Sequence, residues 1–382
     1  MQGLGFFNAA RINAIMEGLQ DKRDLPGELV YLNRVPVVQA SDGEIMARFT
    51  GRAQIADIIA YGQRAVVYSS GKLTYESTGI PKIKIGVEVD EDMLKQLHGL
   101  QQMSTLKDMG IFKNYENRVI DSLLLGYRQR QEAILTGMMI DDLDYDRLGL
   151  KIEGQAWGMP SDLKVTPSTP WTTHGSATPI DDILAVMLIG RIRYGINFNR
   201  VTMSTQAFRE MIACTEFQTK AQVFMRSGIT YANLSLNNLG QQRQIAEALL
   251  GEEVGAFTIE FNDSRYWTQN EDGTQESHTF QPINKVVLSS TMDDNNTAAW
   301  DFASGVVPET IMASMLPTGI IGQFTQPAFG PVTYATPPNS QANPPGLVYW
   351  VAGAGWARKH RLQSSAVLTI GTLTDAIPVT EP

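Results

Sequence analysis

At 382 residues, with 43% hydrophobic and 19% charged residues, the chain has the composition of a folded protein with a substantial core, in one large domain or two to three ordinary ones. A formal net charge of −9 argues against nucleic acid as a specific ligand, because gripping phosphates needs clustered Lys and Arg. The single cysteine, Cys214, excludes an internal disulfide and fits a reducing cytoplasm, while the low charge fraction is what surface covered by partner chains would give.

Residues 1–36 show helical spacing only from Ala9 to Leu19 and are otherwise charged and turn-rich, so they read as an arm that is stable only when it lies on something else. No basic segment runs into an apolar one near Met1, and no window approaches 18 apolar residues; a soluble intracellular protein without a leader or membrane span is expected. Residues 37–80 suggest a two-stranded ribbon. Its strands, Ile45–Phe49 and Ala65–Tyr68, flank an apolar patch of Ile55, Ile58, Ile59 and Tyr61 that needs a neighbour to cover it.

An alternating strand follows, with Ile83, Ile85, Val87 and Val89 on one face and Lys82, Lys84 and Glu88 on the other; a short helix is capped at Asp90. After a break, residues 114–136 form a long helical pattern that Gly137 is expected to end. Ile120, Leu123, Leu124, Tyr127, Ile134 and Leu135 share one face, interrupted by Gln131, and should pack on the strand Ile83–Val89. Arg118, Asp121, Ser122, Arg128, Gln129 and Glu132 take the other. At about 1.5 Å per residue this is a rod of roughly 34 Å. Gly126, in its middle, marks a close contact or a bend.

Residues 154–179 are rich in Pro, Ser, Thr, Trp and Gly and read as a crossing loop. A globular region then opens at Thr178-Pro179 with a helix to about Tyr194; Asp181 and Asp182 lie in its first turn, Ile183, Val186 and Met187 on its apolar face, and Gly190 next on that face. Further on come a strand (200–203), helices (206–217 and 236–250), a strand pair (256–266 and 285–289), a loop with seven prolines (316–346), and β-prone segments at 347–351 and 365–370. Interleaved strands and helices make the region α/β or α+β.

Chemistry is scarce. The four histidines (His98, His174, His278, His360) are far apart, with no metal-ligand spacing and no Cys–His pair, so no catalytic residue, metal or cofactor is expected. Cys214 reads as a small buried hydrophobe. Gly353-Ala354-Gly355 lacks the third glycine and following helix of a dinucleotide loop. Asp142, Asp144, Asp146 and Glu153 match positions 1, 3, 5 and 12 of a calcium loop, but Arg147 stands where the loop turns on glycine and Gly149 where it wants an apolar residue, so they read as a solvated acidic turn. The pairs Asp293-Asp294 and Glu252-Glu253, and the run Arg358-Lys359-His360-Arg361 before a strand, read as solvated surface.

The order of these parts, arm, ribbon, strand, long helix, crossing loop and α/β lobe, resembles the tailed-phage major capsid fold named for phage Hong Kong 97. The nearer likeness is to its lambda-type capsid protein E family. Arg128-Gln129-Arg130-Gln131-Glu132 to Leu135-Thr136-Gly137 resembles the end of the family's spine helix, Pro179–Ile183 the entry to its axial domain and Val201–Phe208 the elements after it. Asn284–Leu288 resembles a later axial strand, and Trp356–Arg358 with Gln363–Ala366 its C-terminal segment. The resemblance implies an α+β fold: N-terminal arm 1–36, E-loop 37–80, peripheral domain 81–178 with spine helix 114–136, axial domain 179–345, and C-terminal strands 346–382 returning to the periphery. It also implies a non-enzymatic major head protein that self-assembles, through hexameric and pentameric capsomers, into an icosahedral shell around packaged DNA. Partners implied are portal, scaffold and a decoration or cement protein, with no membrane; the location is the virion, and host cytoplasm before assembly. Some relatives cross-link an E-loop lysine to a neighbour; Lys72 lies in that region, and lambda-type members do without the bond. The alternative is the shell protein of an encapsulin-like cellular nanocompartment, which shares the fold.

Overall fold

The computed structural model describes residues 29–39, 45–50, 72–77, 81–89, 106–147, 150–226, 238–269, 274–290, 299–305, 332–336 and 347–373. In chain order these form β1 (Val37–Gln39), β2 (Ile45–Thr50), β3 (Lys72–Ser77), β4 (Lys82–Val89), α1 (Leu106–Ile140), β5 (Tyr145–Arg147), β6 (Leu150–Ile152), β7 (Lys164–Val165), α2 (Pro179–Ile189), β8 (Arg200–Met203), α3 (Thr205–Ala213), α4 (Thr215–Arg226), α5 (Leu239–Val254), β9 (Thr258–Phe261), β10 (Arg265–Gln269), β11 (Gln275–Thr279), β12 (Lys285–Ser289), β13 (Trp300–Gly305), β14 (Val332–Thr336), β15 (Leu347–Lys359) and β16 (Ser365–Thr369). The class is α+β. The described residues fall into two compact units: one from segments 1–45, 77–134 and 301–357, the other from segments 46–76, 135–300 and 358–382. The chain passes between them within β2, β3, α1, β13 and β15. Residues 135–178, grouped with the peripheral domain in the sequence reading, fall in the second unit.

The first unit is built on β15. Strand β4 pairs antiparallel with it along eight residues, from Leu347↔Val89 to Ala354↔Lys82. β14 lies antiparallel to Val348–Ala352, and β13 carries β1 in parallel at the sheet's edge. As the alternation predicts, Ile83 is buried while Lys82 and Lys84 are exposed. The amino-terminal part of α1 lies on this sheet through its Leu123, Leu124 and Tyr127 face, where glycines set the spacing. A Cβ on Gly126 would stand 2.7 Å from Ile85, and one on Gly353 would stand 2.4 Å from the Tyr127 hydroxyl. A side chain at Gly353 would run into the Tyr127 ring, whereas one at Gly126 would need the end of the Ile85 side chain to move aside.

The second unit has a mixed five-stranded sheet ordered β7-β16-β12-β8-β9. β12 is antiparallel to both neighbours, whereas β8–β9 and β16–β7 run parallel. Val286, Val287, Leu288, Val201, Ile259 and Leu368 are fully buried, the near-continuous apolar runs of a sheet covered on both faces. The apolar face of α2 (Ile183, Val186, Met187) is buried as predicted, and Gly190 allows close approach: an added Cβ would meet Phe198 at 2.5 Å.

Several expectations are corrected. α1 has 35 residues, starts at Leu106 and runs through Gly137 to Ile140, well beyond the predicted 114–136. Gly137 is there for contact, since a Cβ would meet Leu143 at 2.9 Å; the chain turns off instead at Asp141, whose φ is 62°. From Gln131 to Ile140 the helix is buried all round, so Glu132 is not on an exposed face. The crossing loop is part of a core, with Trp157, Leu163 and Trp171 fully buried. The expected helix 206–217 is two helices, α3 and α4. At Cys214 the backbone extends (ψ 140°), and the Thr215 N–H goes to the His174 carbonyl at 2.9 Å. The helix expected at 236–250 is α5, 239–254. β9 and β12 do not pair directly; β8 lies between them, and β10 pairs with β11. β2 pairs with β3, so the ribbon's second described strand is Lys72–Ser77, and a strand, β14, interrupts the proline-rich stretch. The segment 65–68, the apolar patch 55–61, the helix expected at 9–19 and the helix capped at Asp90 lie outside the described residues.

Candidate functional site

Against α1, the turn 29–35 is helical in its hydrogen bonding. Asn33 N–H donates to the Leu29 carbonyl (3.2 Å), and Arg34 and Val35 N–H donate to the Tyr31 carbonyl (3.0 and 3.1 Å). Pro36 ends it, because proline has no N–H to continue the series; its carbonyl accepts from Phe302 N–H at 3.0 Å, which leads the chain into β1. Leu29, Val30, Tyr31, Leu32 and Val35 are all buried. The N–H groups at the start of this turn point at Glu132, a fully buried carboxylate on α1. Its Oε1 accepts from Tyr31 N–H (2.9 Å) and its Oε2 from Leu32 N–H (2.7 Å). Burial pushes the Glu132 carboxyl up to about 7, against the opposing pull of the backbone N–H groups and of the Arg34 charge.

A second buried carboxylate ends α1. Asp141 accepts from Trp157 N–H at 2.5 Å and Met159 N–H at 3.1 Å, and pairs with Lys164 Nζ at 2.8 Å. It thereby binds the helix end to the crossing loop. Beside it, Lys359 is fully buried and donates to Ser365 Oγ at 2.7 Å, whose own hydroxyl donates to the Met139 carbonyl at 3.1 Å. The basic run 358–361 is thus partly core and not a wholly solvated turn. Neither Asp141 nor Lys359 stood out in the sequence. Glu132 was visible only as a polar residue in a helix end that grows steadily more apolar.

The residues weighed for chemistry stay apart. Glu210 faces His174 at 2.6 Å, while His278 bonds Thr268 Oγ1 (2.8 Å) on the β10–β11 ribbon. Cys214 is buried, its thiol donates to the carbonyls of Trp171 and Glu210, and burial pushes it up to about 11, the opposite of what a nucleophile needs. Asp144 accepts from Gly154 N–H at 2.7 Å, as a turn-closing side chain does. Among the described residues no group of three or more His, Cys, Asp or Glu could hold a metal ion, and no helix is long and apolar enough to cross a membrane. An open cleft of about 710 Å³ lies between α4, α5 and Phe257; its Glu247 is engaged with Arg243 and with Ile259 N–H.

Other exposed features are apolar. Val37 and Val38 lie on the edge strand β1, Leu188 near the end of α2, Ile192 in the wider helical turn Gly190–Tyr194 that follows it, Val223 on α4 and Trp267 on β10. Ile192 and Val223 are each 63% exposed.

No protein-family model matches the sequence, and no curated protein matches it. Solved structures do. A protein described as a prophage capsid protein, from Escherichia coli CFT073, aligns over 96% of this chain and 99% of its own at 14% identity, with a TM-score of 0.52. A phage-related protein of Bordetella bronchiseptica RB50 aligns over 91% and 93% at 12% identity (TM-score 0.49). An encapsulin from Synechococcus elongatus PCC 7942 aligns over 94% and 91% at 14% identity (TM-score 0.43). The chain therefore shares its fold with the prophage capsid protein over 96% of its length: it has the Hong Kong 97-like capsid fold.

Proposed function

We propose that this chain is the major head protein of a tailed phage or prophage, the repeated subunit of an icosahedral shell that encloses DNA. One observation carries the reading: the fold is shared with a prophage capsid protein over nearly the whole of both chains. The physical character of the molecule supports it. Its buried carboxylates tie backbone together and are unavailable for catalysis, so the chain is read as a structural protein and not an enzyme. Exposed Ile192 and Val223 suit contacts between subunits, and closed symmetric assemblies are built from such repeated complementary patches. A net charge of −9 suits a wall that holds DNA without gripping it.

In this reading the arm and the ribbon at 37–80 reach over neighbouring subunits, α1 is the spine of a peripheral domain, and the region from Pro179 is the axial domain at five- and six-fold positions. Within tailed-phage heads the lambda-type family is favoured, on the ordered segments around Arg128–Gly137, Pro179–Ile183, Asn284–Leu288 and Trp356–Ala366. Partners are other copies in hexamers and pentamers, a portal, a separate scaffold and possible cement protein; the protein resides in host cytoplasm until it enters the virion shell. The test is electron microscopy of the purified protein, with nucleic acid content measured. Shells or capsomers are expected. Shells filled with cellular enzymes would favour the nanocompartment instead, and a stable monomer at all concentrations would refute both.

A further inference from the structure

We propose that the ridge of Leu188 and Ile192 on one copy of this chain seats in the open cleft between α4 and α5 of the next copy. The inference rests on the shell reading and deepens it, by naming the residues through which subunits meet head to tail.

A ring needs two different patches on each subunit, one complementary to the other. Head-to-tail contacts close into rings, whereas a single self-matching patch stops at a pair. The second unit carries both. On α2 and the turn after it, Ile183, Val186, Met187 and Gly190 are buried, while Ala185, Leu188, Arg191 and Ile192 are exposed. Leu188 and Ile192 lie four residues apart where the α-helix gives way to the wider turn Gly190–Tyr194, so they stand together on the outer side. The cleft is the counterpart in shape and lining. It holds about 710 Å³, and Phe224, Ala256 and Phe257 make its walls apolar. Gly251 on α5 contributes no side chain, which keeps it deep.

Charge selects the pairing. Arg191 flanks the ridge and is exposed, its Nε donating to Asn197 Oδ1 at 3.2 Å. Arg193 on the same turn is balanced by Asp162 at 2.8 Å. Glu252 stands exposed at the edge of the cleft, and Glu247 within it is balanced by Arg243 at 3.0 Å. With these internal pairs set off, the ridge presents a cation and the cleft an anion. An apolar contact rimmed by opposite charges has the make-up of a subunit interface. The same arrangement opposes ridge on ridge or cleft on cleft, where like charges would face each other.

The experiment follows assembly of the full-length protein by light scattering and electron microscopy. Arg191→Glu and Glu252→Arg should each raise the concentration for half-maximal assembly by at least about tenfold, because the reversed contact recurs around the ring. The two substitutions together should restore it. Both positions are exposed, so the fold should be kept, as circular dichroism checks. A second measurement mixes two singly substituted chains, Ile192→Cys and Gly251→Cys, with a short bismaleimide that bridges thiols. An added Cβ at Gly251 would meet Phe257 at an ordinary 3.9 Å, and Cys214 is buried. A linked pair should form between the two variants and within neither alone. Assembly unaltered by both single reversals, no mixed link in preparations that show capsomers, or Ile192→Cys linked to itself overturns the inference and leaves the shell reading standing. Single subunits at every concentration of the unsubstituted protein overturn that reading, and the inference with it.

Discussion

Removing the Asp141 carboxylate should destabilise the second unit more than any other single side-chain truncation at the end of α1. Asp141→Ala leaves the N–H groups of Trp157 and Met159 buried without their acceptor and Lys164 without its partner. Each orphaned buried donor costs about 1–3 kcal/mol. Lys164 is 43% exposed, so solvent screens its pairing and it adds little. Alanine must also adopt the left-handed φ of 62° that aspartate tolerates better, roughly a further 1 kcal/mol. The expected loss is about 3–7 kcal/mol. Asp141→Asn keeps an acceptor oxygen and the tolerance of that φ, and should lose only about 1–2 kcal/mol. Urea unfolding of the unassembled subunit, followed by tryptophan fluorescence, measures both, since Trp157 and Trp171 are fully buried in this unit. A loss below about 1 kcal/mol in Asp141→Ala would refute the reasoning, because that is what an exposed aspartate would show.

Three further outcomes are expected. Among the described residues the Tyr127 hydroxyl, buried against Gly353, has no hydrogen-bond partner, so Tyr127→Phe should leave urea stability unchanged or raise it by up to about 1 kcal/mol, while Gly353→Ala should lower it by about 1–3 kcal/mol or more. Cys214, with its thiol pushed up to about 11, should stay unreactive towards a disulfide reagent at pH 8 in the folded protein and react at once in denaturant. Removal of residues 1–28 should leave a folded subunit that forms no normal shells, as judged by circular dichroism and electron microscopy. Removal of 1–36 should also cost folding stability, because Leu29–Val35 belong to the core.

The sequence showed what periodicity can show. The alternation of Ile83, Ile85 and Val87 against Lys82 and Lys84 identified β4, and the apolar rhythm of Leu123, Leu124 and Tyr127 identified the face of α1 that meets the sheet. Gly190 was correctly read as a site of close approach, and of the two readings left open for Gly126, contact or bend, contact with Ile85 is the one seen. The failures share one cause, which is burial by distant segments. Gly137 carries the local sign of a helix end, yet contact with Leu143 explains it better. Glu132 and Lys359 are charged, so local reading sends them to solvent; only a turn 100 residues upstream, or Ser365 across a bend, makes their burial tolerable. Trp157 and Trp171 sit among prolines and serines that read as a loop, although two large aromatics in one loop hint at a core. The seat of the turn 29–35 on Glu132 was not legible, since its donors are backbone N–H groups that no residue type announces.

The central claim is that this molecule is a shell subunit, and electron microscopy of the purified, concentrated protein addresses it most directly. The account predicts closed particles or free capsomers with five- and six-fold symmetry. A uniform population of single subunits, unchanged by concentration or by added scaffold, would contradict it.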